Sequence, residues 1–583
     1  MPERTTRDEL ERALQKENAM ARPKSTVVIG RRQLLKGAVA TGGLVAAGML
    51  RPSIGRAAQA SQSPATLQPV KGGQLTVGTS QELESFNPLM PFIEAQRGVQ
   101  TCMFDALWRI DPQGNYIPNL AAEIPTQSNG GISKDGLLFT VKLRKNVKWH
   151  DGQAFTAKDV VTHWQTILNP KVKVFSTSGY DQIESMSAAD DFTVKFKMKA
   201  AYAPIMVALS DMYITPEHIL SKSADINKDE FNTKRPIGTG AFKFVEWVPG
   251  DHLTLEANRS YHGPGPYLDR VNFRFTPDLN VLYTQLKTGE IDILGLDGIP
   301  ADLFSEAKAL PNVKAYAIQG FSWEALCPNM LLPLFQDKRV RQAIYAGIDK
   351  KPIIDKVWLG LMVEAETYIA PHNWAYNPKV KGHHKYSPEK ASQLLEEAGW
   401  KIGSDGIRVK EGKRLSFENA CTAGNKQREQ MQQILQQQLR QIGVEFVINN
   451  KPAAVLFGDF FRLSKFETIF NGMPVAAGDP DLTLRLHSKY IPAKGGMGRN
   501  SVAYENPKVD QLLEAGMREV NRDARKKIYG ELQEILVDEL PYLPIFHYTT
   551  LRGTRDHVQG FRPNPYVFDV ACWNANEWWV QKS

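Results

Sequence analysis

The chain carries many side chains able to do chemistry, but their spacing is not that of a catalyst. It has no Gly-x-Ser-x-Gly elbow, no His-Glu-x-x-His pair and no glycine-rich phosphate loop ending in Lys-Ser/Thr, and no enzymatic activity is expected. His372 and the adjacent His383 and His384 raise the question of metal capture. Neighbouring histidines in an extended segment point apart, however, and no acidic or cysteine cluster accompanies them, so neither a metal site nor a cofactor is expected. Cys102, Cys327, Cys421 and Cys572 lack CxxC or finger spacing and are expected as buried thiols. Aromatic side chains crowd the C-terminus: Phe546, Tyr548, Tyr566, Phe568, Trp573, Trp578 and Trp579. They suit the floor of a pocket for an aromatic or sugar-like ligand, but core packing of returning strands is the favoured role.

The N-terminus reads as an export address. Arg31-Arg32 precede an uncharged Gly/Ala-rich run, Gly37 to Leu50, and Ala58-Gln59-Ala60 stands before Ser61. The run is 14 residues long with four glycines, whereas a membrane-spanning helix needs about 20 apolar residues. The pattern predicts a twin-arginine signal peptide over residues 1–60, cleaved near Ala60 after recognition by twin-arginine export machinery. No cysteine near that point offers a lipid attachment, so the expected mature product is a soluble periplasmic protein. Folding before export in a reducing cytosol agrees with thiols rather than disulfides.

The same segment holds most of the net charge. Residues 1–60 contain 11 Lys/Arg and 5 Asp/Glu, so the formal +8 of the whole chain falls to about +2 for the remaining 523 residues. That balance leaves no nucleic-acid footprint. A chain of this length has core enough for roughly three lobes of about 150 residues.

Local periodicity then places elements that could position a site. Gln74 to Thr79 begins a strand with Leu75 and Val77 on one face, and the polar stretch Ser80 to Pro88 is the loop at its C-terminal end. Leu138 to Arg144 alternates at period two, and Trp149-His150-Asp151-Gly152 closes a hairpin turn. Leu415, Phe417, Asn419 and Cys421 alternate as a strand. Met431, Ile434, Leu435, Leu439 and Ile442 come next, on one helical face. Gly443 stops that helix, and Val444, Phe446 and Ile448 alternate again. Strand, helix, strand over about 34 residues is a crossover unit, which requires a parallel α/β sheet in at least one lobe. Sheets of that kind bind ligands beyond the strand C-termini.

Residues 133–160, Ser-Lys-Asp-Gly-Leu-Leu-Phe-Thr-Val-Lys-Leu-Arg-Lys-Asn-Val-Lys-Trp-His-Asp-Gly-Gln-Ala-Phe-Thr-Ala-Lys-Asp-Val, resemble the signature of the peptide/nickel/opine group of ABC-importer solute-binding proteins. Ile237 to Phe242, Tyr261, Leu286 to Asp292, Phe335 to Ile344 and Ala391 to Trp400 extend the resemblance in the family's order, from about residue 70 to the end. It implies an α/β, two-lobed periplasmic-binding-protein-like fold with an extra subdomain in the first lobe. Carried onto this chain, the linker is 61–69. Lobe I spans 70–109, its extra subdomain 110–215, its continuation 216–315 and its returning segment 541–583. Lobe II is 316–540. The signature hairpin is scaffold in the family, so Arg144, Trp149, His150 and Asp151 are expected to set packing rather than touch ligand.

The resemblance also proposes ligand contacts. Gln81, Glu82 and Leu83 match a pocket-lining loop, and Glu82 is the most pointed of them, a carboxylate that would pair with a ligand cation. Phe321 and Trp323 lie where the chain enters lobe II, Trp323 as a flat wall with one donor. Asn471, Gly472, Met473, Pro474, Val475 and Ala476 match the second-lobe pocket loop. There the chain departs from the family: di- and oligopeptide binders carry an aspartate where Ala476 stands, which pairs with the peptide ammonium. Losing it removes a desolvated charge partner of about 2 kcal/mol or more.

The implied function is the periplasmic receptor of an ABC importer, a monomer that captures a peptide or peptide-like solute and presents it to permease subunits with their ATPases. The alternatives are a non-peptide solute such as an opine, oligosaccharide or modified amino acid, a nickel or metal-complex carrier, or a periplasmic sensor.

Overall fold

The computed structural model describes residues 68–90, 93–177, 179–473, 475, 478–567 and 571–581. The export address, most of the linker, Pro474, Ala476 and Phe568 lie outside the described residues.

A mixed sheet of eleven strands organises the molecule. Ten form its path: β1 (Gln74–Thr79), β2 (Phe242–Val248), β3 (His252–Ala257), β4 (Arg270–Phe275), β5 (Ile293–Leu294), β6 (Val313–Pro328), β7 (Ser416–Ala420), β8 (Glu445–Ile448), β9 (Thr468–Met473) and β10 (Leu543–Arg555). Their spatial order is β8-β7-β9-β6-β10-β5-β1-β4-β3-β2, and Val363–Glu364 pairs with β10. β6 and β10 are long, antiparallel and paired from Val313 opposite Arg555 to Leu326 opposite Leu543. One end of this ribbon borders a core built from Leu75, Val77, Phe242, Val271, Phe273 and Ile293. The other enters a separate core with Trp323, Phe417, Leu435, Phe446, Ile469 and Phe546. Two lobes therefore share one sheet, with β6 and β10 as the strands that cross between them. The ladder slips between Gln319 and Trp323, leaving Gly320-Phe321-Ser322 bulged out at the waist.

The crossover unit forms as its periodicity predicts. β7 and β8 pair in parallel, joined by a helix (Lys426–Gln441) whose Met431, Leu435 and Leu439 are fully buried. Gly443 takes a φ of 79°, a left-handed turn that admits glycine without strain. β1 forms as expected, with Leu75 and Val77 buried, and runs parallel to both its neighbours.

A third core gathers Trp108, Phe139, Val141, Phe155, Val194 and Phe196. Here the hairpin expectation needs correction. Leu138–Lys142 does not pair with the next stretch of chain; its partner is Thr193–Met198, which also pairs with Ile183–Asp190. The turn is real, with the Trp149 amide donating to the Gln153 carbonyl at 2.8 Å, but it closes only a bridge between Lys148 and Ala154. His150 bonds the Gly238 amide and the Gly240 carbonyl, and burial pulls it down to about 4, so the signature motif acts as scaffold between segments. Among the described residues no helix is long and apolar enough to cross a membrane.

Candidate functional site

The lobes meet around the bulge. Phe321, carried out of the ladder, packs on Tyr566 with ring centroids 4.5 Å apart, and Ile110 and Ala370 complete a small buried cluster. Tyr566 belongs to the returning tail, held to the lobe I side because the Asn564 side chain donates to the Ile110 carbonyl. Its hydroxyl donates to the His372 carbonyl at 3.1 Å, a bond from the tail to the lobe II side. Two further bonds cross the same divide: the Ala203 amide to the Met517 carbonyl at 2.7 Å and Arg522 to the Asn115 side chain at 3.3 Å. These three bonds join the two sides of the cleft.

A cavity lies on each side of this cluster. The first has walls from Phe321, Tyr368, Asn373, Val475, Asp479 and Leu482. The second is lined by Arg97, Thr101, Arg109, Asp211, Tyr213, Tyr566 and Trp573. Apolar and aromatic walls with a few directional polar groups are what a solute-binding cleft requires.

Two helices, α1 (Glu94–Met103) and α2 (Ile205–Asp211), contribute walls to the second cavity. Arg97 donates to Asp211 at 2.8 Å and lies 3.9 Å over the Tyr213 ring. Arg109 is locked from behind: it donates to Asp105 at 2.7 Å, to the Tyr261 hydroxyl at 2.9 Å and to the Trp573 carbonyl. Although burial would raise the Asp105 carboxyl, Arg109, His262 and Asn119 outweigh it and hold it below the usual range. In the first cavity, Asp479 accepts two bonds from Arg525, at 2.7 and 2.9 Å. Burial opposes the Arg525 charge, but Asp479 keeps the guanidinium firmly protonated. Asp479 therefore ties the pocket loop to the helix Arg522–Glu539.

The sequence candidates separate into three groups. Phe321 and Val475 line the first cavity, and the Val475 amide donates to Ser322 at 3.4 Å. Trp323, Met473, Asn471 and Gly472 sit deeper. Trp323 is 1 % exposed and packs on Tyr368 and Tyr542 inside lobe II, so it belongs to the core rather than to a cleft wall. Met473 is fully buried opposite it, and the Asn471 side chain is buried beside Met473. Gly472 leaves room for a charged triad: a Cβ there would lie 3.2 Å from both Arg428 and Tyr548. In that triad Arg428 grips Glu324 through two donors at 3.1 and 2.8 Å, and the Tyr548 hydroxyl also donates to Glu324.

In the lobe I loop, both oxygens of Glu82 accept hydrogen bonds from within the lobe. One oxygen accepts from the Trp247 ring at 2.6 Å and the other from the Gly250 amide at 3.0 Å, clamping the loop to the β2–β3 hairpin. Leu83 is buried in the lobe I core, and Gln81 is exposed. Sequence reasoning missed Arg97, Thr101, Asp211 and Tyr213 altogether. For Tyr566 and Trp573 the aromatic density of the tail was the available signal, and both do line the second cavity. His384 donates to the Val537 carbonyl and sits edge-on to Tyr345, away from both cavities. All four cysteines are buried, and Cys102, Cys327 and Cys421 are free thiols.

Comparison with known proteins agrees with this architecture. The family model described as bacterial extracellular solute-binding proteins, family 5 Middle, matches residues 115–489. The oligopeptide-binding protein AppA of Bacillus subtilis (strain 168) is 31 % identical over 521 residues, covering 88 % of this chain and 93 % of AppA. Its solved structure, in complex with a nonapeptide, superposes with a TM-score of 0.66 over 88 % of this chain and 100 % of that one. NikZ from Campylobacter jejuni, solved with Ni(L-His), is 28 % identical, with a TM-score of 0.68 over 87 % of this chain and 99 % of NikZ. The two lobes and the shared ribbon are thus those of a two-lobed periplasmic binding protein, and the chain belongs to the bacterial extracellular solute-binding proteins of family 5.

Proposed function

We propose that this protein is the receptor of an ABC importer that captures a peptide or peptide-like solute between its lobes and presents the closed form to membrane permease subunits and their ATPases. The observation that carries this reading is the waist: a bulged residue of β6 meets a tail residue of the other lobe, with a cavity on either side. Peptide is favoured as the solute because AppA, similar over 88 % of the chain, binds a nonapeptide. No covalent step is needed. Solute touching both lobes favours the closed state to the extent that those contacts are missing in the open one, and closure strengthens polar contacts by removing water.

We infer likewise that residues 1–60 act as a twin-arginine signal cleaved near Ala60, and that the mature protein works as an unanchored periplasmic monomer. Its lobes follow the boundaries 70–109, 110–215, 216–315, 316–540 and 541–583. Native mass spectrometry of the protein purified from its own periplasm tests both parts at once. A mature mass beginning near Ser61 with co-purified short peptides is expected; a single non-peptide ligand would overturn the peptide assignment.

A further inference from the structure

We propose that Asp211 holds a cationic group of the ligand, the α-ammonium when the ligand is a peptide; this rests on the peptide reading above. Three ionic side chains line the lobe I cavity, and their exposures differ sharply. The side chain of Arg97 is 5 % exposed, that of Arg109 20 %, and that of Asp211 52 %. Arg109 is spent on Asp105, Tyr261 and the Trp573 carbonyl. Arg97 is spent on Asp211 and the face of Tyr213. Asp211 uses Oδ1 on Arg97, while a carboxylate offers about four acceptor positions.

Two other carboxylates near the cleft, among the described residues, are occupied. Asp479, on the far cavity wall, is 12 % exposed and has both oxygens on Arg525. Glu82 has both oxygens on lobe I donors. The pocket loop carries Ala476 where peptide binders have their aspartate. Among the described residues, Asp211 is therefore the cavity-lining carboxylate with acceptor capacity to spare, and Arg97 already fixes its orientation. Capture of an ammonium costs little side-chain ordering and forms a charge-assisted hydrogen bond.

The test is affinity-selection mass spectrometry of the mature protein with an equimolar pool of penta- to nonapeptides, each present with a free and an N-acetylated terminus. Wild type should enrich free over acetylated forms by about tenfold or more, the size of one hydrogen bond to a charged group. Asp211→Asn should bring the ratio close to one, and Asp211→Glu should restore part of it. In Asp211→Asn, Arg97 keeps its bond to the residue 211 carbonyl and its stacking on Tyr213, so the fold is retained. Equal enrichment of both forms by wild type overturns the proposal, as does a preference that survives Asp211→Asn or an equal loss of both forms in that variant. Capture of neither form by folded wild type overturns the peptide reading itself, an outcome distinct from the others.

Discussion

Replacing Asp479 by alanine should loosen the lobe II pocket loop without disturbing lobe I. Asp479 and Arg525 form a two-point ion pair at 2.7 and 2.9 Å, with side chains 12 and 7 % exposed, so solvent screens it little. Removing one partner of a buried pair costs about 3–5 kcal/mol, because the remaining charge is left uncompensated. Arg525 would keep the Gly516 carbonyl at 2.7 Å and the Tyr529 hydroxyl at 3.4 Å, which places the loss near the lower end, about 3 kcal/mol. The loop retains the bond from the Asn373 side chain to the Gly478 carbonyl, so it should open locally rather than unfold lobe II. Hydrogen exchange followed by mass spectrometry reads this directly. A loss of about 3 kcal/mol corresponds to roughly a hundredfold drop in protection for peptides covering residues 478–486, with peptides from β1 and β4 unchanged. The double replacement Asp479→Leu with Arg525→Met removes both charges and should recover most of the protection. Unchanged exchange in Asp479→Ala, or a double variant as open as the single, would refute the scaffold role of the pair.

Three further perturbations rest on the same geometry. Arg428→Met leaves Glu324, 1 % exposed, without its cation. Burial already raises that carboxyl, so the folded variant holds a proton that the unfolded chain releases above the ordinary carboxylate range; its stability should fall as pH rises. Urea midpoints of variant and wild type should diverge between pH 5 and 8, and a pH-independent gap counts against the argument. Glu82→Gln weakens the clamp to Trp247 and Gly250 and should lower stability by about 1 kcal/mol while leaving ligand affinity within about twofold; a tenfold loss of affinity would return Glu82 to the binding site. Glu94 is pushed up to about 7 by burial, against the pull of Arg552. The folded state therefore keeps a proton that the unfolded chain loses from about 4.5 upward, and up to about 3 kcal/mol of stability disappears between pH 4.5 and 7. Glu94→Gln should flatten this slope in urea titrations, and an unchanged slope would assign it elsewhere.

How much of this was legible depended on how far apart the interacting residues lie. The helical face of Met431, Leu435 and Leu439, and the strands on either side of it, could be read because spacings of two, three and four residues express local geometry. The partner of Leu138–Lys142 could not, since alternation marks a strand with one buried face and says nothing of which strand lies beside it. The resemblance to the family pointed to the loop that carries Val475, which borders the first cavity, but it could not show that Trp247, 165 residues away, donates to Glu82.

The export pattern, the crossover unit, the family and hence the two-lobed plan are all present in the linear chain, because each is written in short-range periodicity or in a long contiguous motif. Which groups face the cleft is settled only in the folded molecule. Phe321 reaches Tyr566 because a bulge turns it out of the ladder, Trp323 is withdrawn into the core two residues later, and Asp211 meets Arg97 across 114 residues of chain. The orientation of a side chain is set by the packing of distant segments against it, and no local pattern encodes that.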